Sequence, residues 1–136
     1  MPTEIEIITD PASFDVQMIR DFLSATYWAE GRTTDQVRTT IENSHCFGAF
    51  IADRQIGFAR VVTDCVAFAY VMDVFVLPEH RNQGHATTLM QYILDYPEFA
   101  GIQNWLLKTR DAQSFYERFG FQTVVDAERM MSRRHN

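Results

Sequence analysis

Cysteine is scarce in this sequence: Cys46 and Cys65 are the two among 136 residues. A disulfide framework or a zinc motif needs cysteine and histidine at short, fixed spacings, and this pair offers neither. His45 stands beside Cys46, but neighbours on a strand point to opposite faces. The spacing therefore assigns no metal. Long apolar runs are missing as well. No stretch reaches the roughly 18 residues that span a bilayer. The opening "MPTEIEIITD" lacks the basic-then-apolar order of a signal peptide. No membrane partner is expected, and the expected location is cytoplasmic. Positive charge is short too, with 12 Lys and Arg against 18 Asp and Glu. Nucleic-acid binding wants a clustered basic surface, so that class is not expected. The one basic knot, "RMMSRRH", reads as a solvated tail, and the acidic balance mildly favours a cationic ligand. Six Gly and four Pro are too few for a collagen-like or low-complexity chain.

What is present is apolar mass. Nearly half the residues are apolar and 11 are Phe, enough for one domain over residues 1–136 with its own core. "EIEIITD" alternates like a half-buried strand. Asp10-Pro11 offers a cap and a first-turn proline. Phe14, Met18, Ile19, Phe22 and Leu23 then share a helical face. "TYWAEGRTT" breaks the pattern. Thr33 and Gln36 have capping-box spacing for a second helix, with Val37 and Ile41 inward. "CFGAFIAD" and "IGFARVVTD", parted at Arg54-Gln55, read as a hairpin. "FAYVMDVFVL" is apolar almost throughout, the mark of a strand buried on both faces. A helix from about residue 83 to 95 follows, then the strand "NWLLKT". Next comes a helical stripe of Ala112, Phe115, Tyr116 and Phe119, ended by Gly120. "FQTVV" and "RMMS" close as strands. The expected class is α/β (α+β): a mixed, mostly antiparallel central sheet of six or seven strands, with helices on both faces.

"LPEHRNQGHATTLM" joins the central strand to a buried helix. A helix N-terminus has about four N–H groups without intrahelical partners and a partial positive charge. A turn that aims them inward holds an anion, and diphosphate suits it. Gly84 keeps a side chain out of the way, and Ala86 nearly does so. Arg81 adds a cation. The competing reading is an ordinary strand-to-helix turn. No Gly-Lys-Ser/Thr follows, and two glycines of the dinucleotide fingerprint are missing.

Here a resemblance enters. "RNQGHA" is similar to the (Gln/Arg)-x-x-Gly-x-(Gly/Ala) signature of the GNAT superfamily of N-acetyltransferases. "DVFVLPEH" resembles that family's fourth strand, and "SFYERFGF" its "LYEKxGF" element. Element order and length agree, so the resemblance covers essentially the whole chain. The departures are Asn82, where many members have glycine, and His85, at a variable position. The resemblance implies strands 4 and 5 splayed into a V-shaped cleft, with acetyl-CoA as cosubstrate and no metal. Phe75 and Val76 would bind the pantetheine arm through their backbone. Arg81, Asn82, Gln83, Gly84, His85 and Ala86 would hold the pyrophosphate, with Thr87 and Thr88 beside it. Tyr116 would protonate the leaving thiolate. Tyr27 and Trp28 would line the acceptor side, together with Glu30 and Arg32. The implied reaction is direct acetyl transfer to a primary amine of a small molecule or peptide. A homodimer is the assembly common among relatives.

Asp73 is the only charge in its apolar run. A buried carboxylate must be paired, hydrogen-bonded or facing a cleft. It is read as catalytic base and amine binder, against a structural role; methionine stands where some members carry a first acid. Tyr116 has the competing reading of a core tyrosine, and Trp28 that of an apolar plug. Two other functions stay open: a non-catalytic CoA-binding or regulatory module of the same fold, and a nucleotide- or phosphate-binding α/β domain.

Overall fold

The computed structural model describes residues 4–135. Five strands form one sheet in the order β1-β2-β3-β4-β5: Glu6–Ile8, His45–Ile51, Arg54–Thr63, Phe68–Val76 and Asn104–Leu107. The first three junctions are antiparallel and β4–β5 is parallel. Among the described residues four α-helices complete the fold: α1 Val16–Ser24, α2 Thr34–Glu42, α3 His85–Leu94 and α4 Gln113–Glu117.

Alternation along the strands sorts the core into two layers, because successive side chains point to opposite faces. On β2, Cys46 and Phe50 pack with Ile19 and Leu23 of α1 and Val37 and Ile41 of α2. Phe47, between them, packs with Leu89, Met90 and Ile93 of α3. Helices therefore cover both faces, as the two periodicities required. The Thr33–Gln36 capping box closes reciprocally, at 3.1 and 2.8 Å.

Three expectations need correction. Asp10-Pro11 starts only a 3-10 turn, Pro11–Ser13, and α1 begins after Asp15, whose carboxylate caps Met18 N–H. The β2–β3 hairpin turns at Ala52-Asp53, not at Arg54-Gln55, and Ala52 takes a positive φ there. The sheet has five strands, not six or seven: "FQTVV" and "RMMS" form none. An alternating apolar run becomes a strand only where a neighbour takes up its N–H and C=O groups, and its propensity is set by that context. Phe121 folds back on Tyr116, with ring centroids 5.9 Å apart, after Gly120 turns the chain at φ +90°. Beyond it Val125 and Met131 are 91% and 96% exposed. Among the described residues no helix is long and apolar enough to cross a membrane.

Candidate functional site

The site starts where two strands part. β4 and β5 pair from Phe68↔Asn104 to Val71↔Leu107 and no further. β4 continues to Val76, held on its other side by β3. Its edge from Met72 to Val76 is thus left without a strand partner on the β5 side. A free strand edge is a template for an extended ligand. Gly57 lets β3 approach closely here: a Cβ on it would lie 2.9 Å from Phe75 O.

Past Val76 the chain reaches the arginine-led turn. Arg81 Nε donates to Val76 O at 3.0 Å, and Arg81 N–H donates to Pro78 O. Arg81 thus braces the end of β4, and its backbone N–H is already taken, unlike the pyrophosphate contact expected of it. Asn82 and Gly84 both take positive φ, at 63° and 81°, while Gln83 between them does not. Alternating handedness turns successive N–H groups to one side and makes an anion-binding concavity. Asparagine is among the few side chains that enter this region cheaply, so Asn82 can hold the positive φ without a glycine. No side chain caps α3. A Cβ on Gly84 would meet nothing within 4 Å, so the glycine answers a backbone need and leaves open space in front of the turn. His85 is 6% exposed, and among the described residues its Nε2 has no hydrogen-bond partner. An uncapped N-terminus and an alternating turn fit a polyanionic ligand. Thr87 accepts from Arg118 Nη2 at 2.7 Å. That places the guanidinium of Arg118, the residue that ends α4, at the first turn of α3, next to Ala86 and Thr88.

Asp73 stands in β4 at φ +55°. Between Phe58↔Phe75 and Arg60↔Met72, two steps on β3 match three on β4. The extra β4 residue is a β-bulge, a device that re-aims side chains. Val71 packs with α3 and Phe75 with α1, although regular alternation would put them on one face. The bulge delivers the Asp73 carboxylate to the α1–α2 side. There Oδ1 accepts from Trp28 Nε1 at 3.0 Å, and Oδ2 accepts from Arg32 Nη1 at 2.6 Å and Arg60 Nε at 2.9 Å. The side chain has no exposed surface. Arg60 goes on to Ser44 Oγ and Met72 Sδ, at 3.1 and 3.5 Å. A base must reach its proton; this carboxylate reaches three donors of the protein instead.

Those contacts fix the α1–α2 break. Tyr27 and Trp28 remain exposed at 52% and 44%, edge to face at 5.2 Å. The Arg110 guanidinium, from the β5–α4 loop, lies 4.0 Å from the Tyr27 ring centroid. Tyr27 and Trp28, with Glu30 and Arg32, border a pocket of about 740 Å³ whose far wall is Asp35, Gln36, Thr39 and Thr40 of α2. Tyr116 belongs to the other layer, half-buried with Phe115 and Phe121, and burial pushes its hydroxyl pKa up.

The structure thus gathers Phe75, Val76 and Arg81 to Thr87 along β4 and α3, and Tyr27, Trp28 and Asp73 into a bracket. Arg60, Arg110 and Arg118 lay outside the sequence reading. Arg60 carried the same signal as Asp73, a lone charge in the apolar "IGFARVV". Arg110 and Arg118 carried none.

Residues 42–123 match a family model described as an acetyltransferase (GNAT) domain. A GNAT-family protein of Xanthomonas campestris pv. campestris, known from its crystal structure, is 38% identical. It superposes with a TM-score of 0.94 over 97% of this chain and 94% of its own. A Gibberella zeae protein with an acetyltransferase name is 29% identical over 73% of this chain and 64% of its own length. N-alpha-acetyltransferase 30 of Schizosaccharomyces pombe is 32% identical over 60% of this chain and 53% of its own. The chain thus spans less than two thirds of both curated relatives. The same fold recurs at 20% identity and TM-score 0.73 in a Bacillus halodurans protein described as a transcriptional regulator.

Proposed function

The chain belongs to the GNAT acetyltransferase family, and we propose that it moves an acetyl group from acetyl-CoA directly to a primary amine of a small molecule or peptide. The observation that carries the reading is continuity: the unpartnered edge of β4 from Met72 to Val76 runs into an uncapped, alternating turn at Asn82–Gly84. An extended arm ending in a diphosphate needs that sequence of surfaces. Phe75 and Val76 would take the pantetheine arm. Backbone N–H groups from Asn82 to Ala86 would take the pyrophosphate, with Thr87 beside them and Arg118 adding positive charge in place of Arg81.

Three chemical tasks follow. The thioester carbonyl gains negative charge under attack, and the Val76 N–H would stabilise it. The departing thiolate takes a proton from the Tyr116 hydroxyl, and solvent returns one to the tyrosinate. The amine must shed a proton to attack, and Asp73 is committed to Trp28, Arg32 and Arg60. Asp73 is therefore read here as a positioning residue. It orders the Trp28 side of the acceptor pocket, and water carries the amine's proton away. Most of the rate then comes from holding thioester and amine together.

The test is thiol release from acetyl-CoA against a panel of amines and peptides. Release that depends on an added amine supports the transferase. CoA binding with no amine-dependent release would instead favour a non-catalytic CoA-binding module, and protection by ATP over CoA a nucleotide-binding domain.

A further inference from the structure

At the opposite end of β4 from the Val76–Gly84 cradle, folding assembles a second group of reactive side chains. His45 opens β2, Cys65 sits in the β3–β4 turn, and Glu98 lies in the 3-10 turn Pro97–Phe99 after α3. One nitrogen, one sulfur and one oxygen donor from these residues all lie within 4.8 Å of one another. His45 Nε2 and Glu98 Oε2 are 3.4 Å apart. A His–Glu ion pair alone would explain that distance. It would not explain the thiol between elements so far apart in sequence.

The thiol is held there by its backbone. Cys65 takes φ +65°, a left-handed conformation that non-glycine residues adopt only under constraint. Its N–H donates to Thr63 Oγ1 at 2.8 Å. The turn beyond it is tied by the Asp64 carboxylate, which accepts from Val66, Ala67 and Phe68 N–H. The His45 ring is set edge to face on Phe99, with centroids 5.3 Å apart, and Phe99 is 2% exposed. Phe47, Tyr96 and Trp105 pack round Phe99. The donors therefore rest against an apolar floor. Such a floor strengthens metal–ligand electrostatics by keeping the dielectric low.

We propose that His45, Cys65 and Glu98 form a site for a zinc-like divalent cation, with water as the fourth ligand. Nitrogen, thiolate and carboxylate are zinc's three protein donor types. Bonds of about 2.0–2.3 Å in a tetrahedron set donor separations of about 3.3–3.8 Å. The His45–Glu98 distance already lies in that range, and Glu98 is exposed enough to move. Bound metal would clip β2, the β3–β4 turn and the segment after α3 together. The spacing of histidine and cysteine along the chain hides this group, because its members meet only through the sheet and the end of α3.

Cobalt(II) is the probe, because a thiolate on tetrahedral cobalt gives a charge-transfer absorption band. Protein freed of metal by chelator is titrated with cobalt(II), and its melting point is followed with zinc(II). The expected result is one equivalent bound, a band lost in Cys65→Ser, and a zinc-dependent rise in melting point. Glu98→Gln, at an exposed position, should weaken binding by about tenfold or more, since even the outer partners of ligands contribute that much. His45→Ala should do the same. Cys46→Ala should leave the band unchanged. Absence of a band, a band that survives Cys65→Ser, or zinc stabilisation indifferent to Glu98→Gln would each overturn the site.

Discussion

At the residue scale Asp73 decides how the acceptor side is built. Its carboxylate balances two guanidinium groups in a place with almost no water. Asp73→Asn preserves shape and removes the charge, leaving Arg60, whose side chain is 8% exposed, without a counter-ion. Breaking a buried pair this way costs about 3–5 kcal/mol. The melting point should fall sharply, and activity per folded molecule should stay near normal for acetyl-CoA, with a higher KM for the amine. Unfolding curves and kinetics on one preparation test this. A normal melting point with a collapsed kcat would return Asp73 to the role of base.

Tyr116→Phe asks the complementary question. A general acid is typically worth about 10²-fold or more, so kcat should drop on that order with acetyl-CoA KM little changed. Stability should hardly move, since no protein partner of the hydroxyl is lost. An unchanged kcat, with chemistry shown to be rate-limiting, removes Tyr116 from the mechanism. Cys46 supplies a pH dependence. Burial pushes its thiol up from an ordinary value near 9 to about 12. Below pH 9 both folded and unfolded chains keep the proton, and the stability that goes with it is complete. From about pH 9 to 12 the unfolded chain ionises first, so stability falls with rising pH, by up to about 1.4 kcal/mol per pH unit. Urea unfolding across that range should show a steeper loss in the native chain than in Cys46→Ala. Equal slopes would mean the thiol is not the titrating group.

At the element scale the turn into α3 carries the ligand argument. Gly84 has open space beside it but a left-handed backbone. Gly84→Ala should therefore cost about 1–2 kcal/mol through strain. Gly84→Asn, a residue that tolerates this conformation, should cost less while filling the space in front of the turn. Both should weaken CoA binding, and Gly84→Asn should do so with the smaller loss of apo stability. Calorimetric CoA titrations against apo melting points separate the two effects; tight CoA binding by Gly84→Asn would remove the turn from the site. This element was legible in "RNQGHA", because a glycine, a polar turn and a helical period sit within a few residues. The capping box of α2 was legible for the same local reason. β4 was read as central and buried on both faces, but β3 holds the centre of the sheet, and Tyr70, Met72 and Val74 of β4 are only partly buried. The bulge at Asp73 was not legible, since it shows only in register against β3. Nor were its partners Trp28 and Arg32, which lie in a different part of the chain. The two closing strands were misread because Val124, Val125, Met130 and Met131 alternate or cluster as strand residues do. Their exposure shows that they lack a partner.

At the scale of the whole molecule, the sheet is continuous where it is structural and open where it would work. β2, β3 and the first half of β4 are paired on both sides, with a helix layer on each face. The second half of β4, the α3 turn and α4 meet along one line, linked by Arg81 on Val76 and Arg118 on Thr87. A single ligand lying on that line would join elements that otherwise share few bonds. Acetyl-CoA binding to the native state alone should stabilise the protein by about 2.7 kcal/mol at a hundredfold excess over Kd. Hydrogen exchange should show where. Amides of Met72–Val76 and Asn82–Thr87 should slow most on adding the ligand. Those at the β2–β3 junction, already bonded, should change only with global stability. Uniform slowing would mean that the ligand stabilises the fold without lying on β4. Protection confined to the pocket beside Tyr27 and Trp28 would place it on the acceptor side instead. Either pattern would separate the β4 edge from the α3 turn as parts of one site.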